Sequence, residues 1–160
     1  MIAIRLAQPA DFDAIWEIFH QVVQGGDTYV YEATTTKEQA RSIWMETGTT
    51  YVGLADDRVV GTYVLRANRV GLGSHVANAS YMVSPDFHGR GAGRALCQHS
   101  LEEARKAGFT AMQFNFVVST NQAAVELWKR CGFQIVGTAP RAFRHRQLGL
   151  VDAYVMHRYL

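Results

Sequence analysis

Apolar and polar positions alternate across residues 1–6, enough for a first strand. Pro9 and Asp11 then open a segment in which Phe12, Ile15, Trp16, Phe19, Val22 and Val23 recur with the 3.6-residue helical period. Gly25-Gly26 should end that helix. An aromatic loop, DTYVYEAT, follows, and Thr35 with Glu38 three residues on makes a capping box for a second helix carrying Ala40, Ile43 and Trp44. Residues 50–55 and 59–66, joined through Asp56-Asp57-Arg58, read as a hairpin. Beyond the polar glycine loop NRVGLGSH lie a strand (VANASYMV), a helix over 91–106, a strand (TAMQFNFVV), a helix over 121–131, and two last strands (FQIVGTA and LVDAYVMHRYL).

The element order is thus β, α, α, β, β, β, α, β, α, β, β, without repeat or linker. An antiparallel front half leading into a βαβ unit predicts one mixed, mostly antiparallel sheet of about seven strands flanked by about four helices, an α/β (α+β) fold. At 160 residues a single domain over 1–160 is expected.

Composition narrows the partners. The chain is 48% hydrophobic and 19% charged, so disorder is not expected to carry the function. Lys+Arg exceed Asp+Glu by 16 to 14, a balance that calls for neither nucleic acid nor an anionic membrane. The start lacks a secretory apolar core, and no apolar run approaches the ~18 residues of a span, which suggests a cytoplasmic protein. Cys97 and Cys131 both fall in helical patterns and read as buried free thiols. The histidines show no ligand spacing and neither HExxH nor CxxC occurs, so no metal is expected.

The densest chemistry is SPDFHGRGAGRAL, 84–96. A strand that ends in a glycine loop and restarts as a helix offers unpaired N–H groups at the positive end of a helix dipole, a natural phosphate seat. Gly89, Gly91 and Gly93 allow close approach or positive φ, and Arg90 and Arg94 add charge. A plain glycine turn with solvated arginines fits the same letters. The dinucleotide fingerprint fails because Arg94 stands where its third glycine belongs, and the Walker loop fails because no Gly-Lys pair exists.

Two stretches together resemble the GNAT superfamily of acyl-CoA-dependent N-acetyltransferases. MVSPDFHGRGAGRAL is similar to that family's Gln/Arg-x-x-Gly-x-Gly/Ala motif after a strand, with His88 in the Gln/Arg place. NQAAVELWKRCGF, 121–133, resembles its Asn-x-x-Ala…Leu-Tyr-Glu-Lys-x-Gly-Phe segment. The resemblance implies a GNAT fold splayed between strands four and five, acetyl-CoA as cofactor, and often a homodimer. It implies that the backbone of Tyr81, Met82 and Val83 holds the pantetheine arm, that His88, Gly89, Arg90, Gly91, Ala92, Gly93 and Arg94 hold the pyrophosphate, and that Asn121 and Trp128 flank the cofactor.

The chain departs from the family in two places. Neither splayed strand carries a carboxylate to deprotonate the amine, and Trp128, which also reads as a core aromatic at helical spacing from Ala124 and Cys131, replaces the tyrosine that would protonate the thiolate. Direct attack in a ternary complex, aided by proximity and oriented water, is therefore expected. An asparagine on each splayed strand, a Leu-Trp helix and a final strand opening Val-Asp-Ala look like the proline-analogue and small-amine acetyltransferases of the superfamily. That likeness implies Asn78 and Asn115 as a clamp on an amino-acid-like amine, with Tyr29 and Tyr31 as lid walls. A role for both asparagines in satisfying buried backbone is the alternative. Arg144, in the basic cluster of Arg141, Arg144, His145 and Arg146 on the connection between the last strands, would draw an anionic acceptor, with a solvated charged loop as the alternative. Acetylation of protein N-termini or lysines, and a non-catalytic acyl-CoA-binding module, are the competing functions.

Overall fold

The computed structural model describes all 160 residues. β1 (Ala3–Leu6) leads through a 3-10 turn into α1 (Phe12–Gly25) and α2 (Lys37–Met45). Next come β2 (Thr49–Ala55), β3 (Arg58–Ala67), β4 (Val76–Val83), α3 (Ala92–Lys106), β5 (Ala111–Val118), α4 (Gln122–Arg130), β6 (Gln134–His145) and β7 (Gly149–Tyr159). This is the order that the hydrophobic pattern predicts. The strands form one sheet in the order β1-β2-β3-β4-β5-β7-β6. All neighbours are antiparallel except β4 and β5.

That parallel pair makes the site possible. β4 and β5 pair only at Val76 with Ala111 and Ala77 with Met112, and then part. β5 also breaks register with β7 between Phe114 and Val117, leaving Asn115 and Phe116 exposed. A bulge bends its strand, and β5 carries this one beyond the point where it stops pairing with β4. The result is a wedge that opens toward the carboxyl end of β4.

Helices cover both faces of the sheet. α3 and α4 lie over a core that includes Leu96, Leu101, Met112, Phe114, Trp128 and Phe133. α1 and α2 lie over Phe12, Ile15, Phe19, Trp44, Val52 and Val64. Each such side chain contributes about 1.5–3 kcal/mol by leaving water. One polar thread crosses the second core: Trp44 Nε1 donates to Thr62 Oγ1 at 3.0 Å, and that hydroxyl donates to the Tyr51 carbonyl at 2.8 Å. Cys97 and Cys131 are buried free thiols, as read from the sequence.

Two boundaries differ from the expectation. The capping box is formed by Thr36 and Gln39, while the Thr35 hydroxyl donates to the Glu32 carbonyl. Three consecutive threonines permit several registers, and the one adopted buries Ala40 and Trp44. β6 runs on to His145, so Arg141, Arg144 and His145 belong to a strand and only Arg146 to the connection. The strand survives the break at Arg141, whose φ is 51°, because the Arg141 N–H donates to Asp152 Oδ1 at 2.9 Å.

On α3, His99 Nδ1 lies 2.7 Å from the Tyr63 hydroxyl. Burial holds this imidazole below the ordinary histidine range, against the opposing pull of Glu103 and Glu102. In the unfolded chain the ring takes up a proton at about pH 6.5. Between the two values the unfolded state binds more protons, so stability falls as pH is lowered. The thermal midpoint should decline as pH drops below about 6.5, and His99→Gln should remove that part of the decline. Glu103, held low by Lys106, contributes only at more acid pH. An identical pH slope in the variant would reject this assignment.

Candidate active site in the wedge between β4 and β5

The ladder fixes which backbone groups face the wedge. Asn68 N–H donates to Val76 O and Ser84 N–H to Val60 O, and Met82 is paired with Thr62. The polar groups of even-numbered β4 residues therefore point to β3, and those of Ala79, Tyr81 and Val83 point into the gap. The structure places Tyr81 and Val83 where a ligand strand could pair with them. It turns the Met82 backbone away and buries the Met82 side chain beneath α1 and α2.

Side chains meet this open edge. The Tyr29 hydroxyl donates to the Tyr81 carbonyl at 2.6 Å and accepts from the Tyr81 N–H at 2.9 Å. His88 Nε2 donates to the Val83 carbonyl at 3.2 Å. At the base of the wedge Asn78 Nδ2 donates to the Gln113 carbonyl at 2.9 Å, holding the strands where their ladder stops.

The glycine loop lies at the wide end. Gly91 is the N-cap of α3, at φ 83°, with no side chain capping the first turn. Its φ and that of Gly89, 74°, favour glycine. A Cβ on either would meet no atom within 4 Å, so both border open space. Gly93 has another reason to be small, because a Cβ there would come within 3.1 Å of Leu127 on α4. The Ala92 side chain is buried, leaving its N–H as its contribution to the loop. Arg90 lies over the Phe87 ring at 5.1 Å, and Arg94 is exposed; neither forms an ion pair. Uncapped first-turn N–H groups, two glycines and two unpaired arginines suit a pyrophosphate.

Inward, the wedge opens into a cavity of about 250 Å³. It gathers Tyr29, Tyr31, Asn78, Asn115, Asn121 and Trp128, which are scattered along the sequence. Tyr29 and Tyr31 stack at 5.9 Å, and Trp128 packs at 4.8 Å from the Tyr81 ring. Asn121 caps α4, its Oδ1 accepting from the Ala124 N–H at 3.3 Å. Asn115 sits in an amide chain, accepting from Gln113 Nε2 at 3.1 Å and donating to Asn68 Oδ1 at 2.7 Å. Burial pushes the Tyr29 and Tyr31 phenols above their ordinary range, so both are neutral hydrogen-bonding groups and not bases. No carboxylate lines the cavity.

Arg144 lies outside this cavity, exposed on β6 opposite Leu150. The cavity's cation is Arg66, at the end of β3 and outside every motif legible in the sequence. Its Nη2 donates to Ser80 Oγ at 2.9 Å and its Nη1 to Thr47 Oγ1 at 3.4 Å. The signal that could have found it is register: Arg66 pairs with Asn78. The length of the NRVGLGSH loop alone does not fix that register.

The model of the acetyltransferase (GNAT) family matches residues 13–133, across the wedge, the glycine loop and α4. The chain belongs to the GNAT acetyltransferase family. A GCN5-related N-acetyltransferase structure from Kribbella flavida superposes with a TM-score of 0.95 at 46% identity, covering 99% of this chain and 98% of that one. The L-amino acid N-acyltransferase MnaT of Escherichia coli is 30% identical over 146 residues, 88% of this chain and 84% of MnaT. The N-acetyltransferase aca1 of Schizosaccharomyces pombe is 35% identical over 98 residues, 61% of this chain but 47% of aca1. The chain thus matches less than half the length of aca1. Related GNAT structures have been solved with acetyl-CoA. The split sheet and βαβ crossover of this chain are those of the GNAT fold. No helix is long and apolar enough to cross a membrane.

Proposed function

We propose that this GNAT chain transfers an acetyl group from acetyl-CoA to the amine of a small, amino-acid-like acceptor. The observation that carries the reading is continuity: an uncapped glycine loop, an unpaired strand edge and a small cavity without a carboxylate lie along one wedge. The open space beside Gly89 and Gly91 fits a pyrophosphate, and the N–H and C=O groups of Tyr81 and Val83 fit an extended amide arm. Arg90 and Arg94 supply positive charge at the loop, and Asn121 and Trp128 border the arm's inner end. When bound, acetyl-CoA supplies the thioester that the acceptor amine attacks.

The chain's own groups orient and exclude water. Asn78 spends its Nδ2 on Gln113 O, which leaves its Oδ1 to accept from an amine. Tyr29, Tyr31 and Trp128 wall the cavity with rings. With no carboxylate at hand, an acceptor ammonium loses its proton to water in the cavity mouth. MnaT, an L-amino acid N-acyltransferase by name, matches most of this chain and supports an acceptor of that size. A 250 Å³ cavity suits a free small amine better than a folded protein's lysine.

The test is release of free thiol from acetyl-CoA in the presence of a panel of free amino acids. Thiol release with at least one of them is the expected result. A melting shift with acetyl-CoA but no thiol release above background on any amine would instead make the chain an acyl-CoA-binding module. Tyr29→Phe gives a second check, because the Tyr29 hydroxyl holds the Tyr81 groups that the amide arm needs. Removing it should tighten acetyl-CoA about two- to tenfold in calorimetry, the worth of one ordinary hydrogen bond. Unchanged or weaker binding would mean that the arm does not use Tyr81.

A further inference from the structure

We propose that Arg66 selects the acceptor by pairing with a carboxylate, so that this enzyme acetylates free amino acids and discriminates against plain amines, amino acid amides and peptide chains. The inference rests on the acetyltransferase reading above and names the substrate class of that cavity.

Arg66 is the only charged side chain lining the cavity, and it has no ionic partner. Its hydrogen bonds go to the neutral hydroxyls of Ser80 and Thr47, which leaves part of its five-donor fork free. A guanidinium drawn into a half-enclosed cavity without a counter-charge is unfavourable unless a ligand brings one. A planar fork matches a carboxylate in a way that a lysine point charge does not.

Two further observations place the anion. Thr28 Oγ1, on the same cavity wall, is the one buried side-chain polar atom without a hydrogen-bond partner. An unmade bond of a buried hydroxyl is costly, and an incoming carboxylate oxygen would satisfy it. Arg66 is also the direct cross-strand partner of Asn78, so both project from the α1/α2 face of the sheet as near neighbours. In an α-amino acid the amine and the carboxylate are separated by a single carbon. One cation beside one free amide oxygen is the matching arrangement. The basic cluster around Arg144, on β6, has no such neighbour in the cavity.

The experiment compares free L-amino acids with their primary amides as acceptors, using wild type, Arg66→Lys and Arg66→Gln. It follows thiol release and, separately, equilibrium binding of each acid and amide by calorimetry in the presence of CoA. Wild type should favour the acid over its amide by about ten- to a hundredfold in kcat/KM, the size of a charged hydrogen bond. Arg66→Gln should bring that ratio close to one, mainly through KM, and Arg66→Lys should keep part of it. Equal use of acid and amide by wild type overturns the proposal. So does an Arg66→Gln variant that weakens both alike, since loss of the Ser80 and Thr47 contacts alone would do that. If no acceptor is turned over, the acetyltransferase reading fails. Selective loss of acid binding in Arg66→Gln would then still uphold the carboxylate site, and absence of that loss would end it too.

Discussion

Gly91→Ala should weaken acetyl-CoA binding about five- to thirtyfold, while the sheet and both cores remain intact. Gly91 holds φ 83° at the N-cap of α3, a conformation that costs an L-residue roughly 1–2 kcal/mol. The cheapest escape is to rotate the loop, which turns the first-turn N–H groups away from the place where a pyrophosphate would sit. Gly108 is a matched control: its φ is 87°, its Cβ position is also open, and it lies past the other end of α3. Gly108→Ala should lower the melting temperature comparably and leave the dissociation constant unchanged. Calorimetric titration of both variants with acetyl-CoA decides the matter. Equal affinities for Gly91→Ala and wild type would remove the loop from the cofactor site.

Trp44→Ala should lower folding stability by about 3–5 kcal/mol, the usual cost of emptying a large aromatic site. Trp44 is 1% exposed and is among the largest fully buried side chains. Its ring meets Phe19 at 6.1 Å and Tyr29 at 6.3 Å, both edge-on, so the cavity left behind reaches the foot of the aromatic loop that carries Tyr29. Acceptor KM should therefore rise even under conditions in which the variant is folded. Trp44→Phe keeps most of the packing and loses the Nε1 bond to Thr62, and should cost nearer 1 kcal/mol. Denaturant unfolding of both variants measures this. A loss below 1 kcal/mol for Trp44→Ala would mean that α2 and the aromatic loop carrying Tyr29 do not share this core.

The glycine loop is local: a strand, three glycines and a helix within SPDFHGRGAGRAL fix where N–H groups go unpaired. Helix periodicity likewise places Trp44 on the buried stripe with Ala40. The contact between Trp44 and Tyr29 was not legible, because it depends on how the eleven-residue loop over 26–36 folds back over α2. The same limit explains the capping box, where three threonines left the register to tertiary packing. It explains β6 as well, whose continuation past Arg141 needs Asp152 from the neighbouring strand.

By itself the sequence determined the element order, the mixed sheet, the crossover that sets β4 parallel to β5, and the glycine loop, since each follows from periodicity or from residues a few positions apart. Only the tertiary structure decided which β4 groups face the wedge, that Tyr29 meets them, that Asn115 is tied to Gln113 and Asn68, and that the cavity's cation is Arg66 and not Arg144. These depend on strand register and on loops meeting across the sheet. A shift of one residue in register turns every side chain to the opposite face, and no local pattern near Arg66 records which face that is.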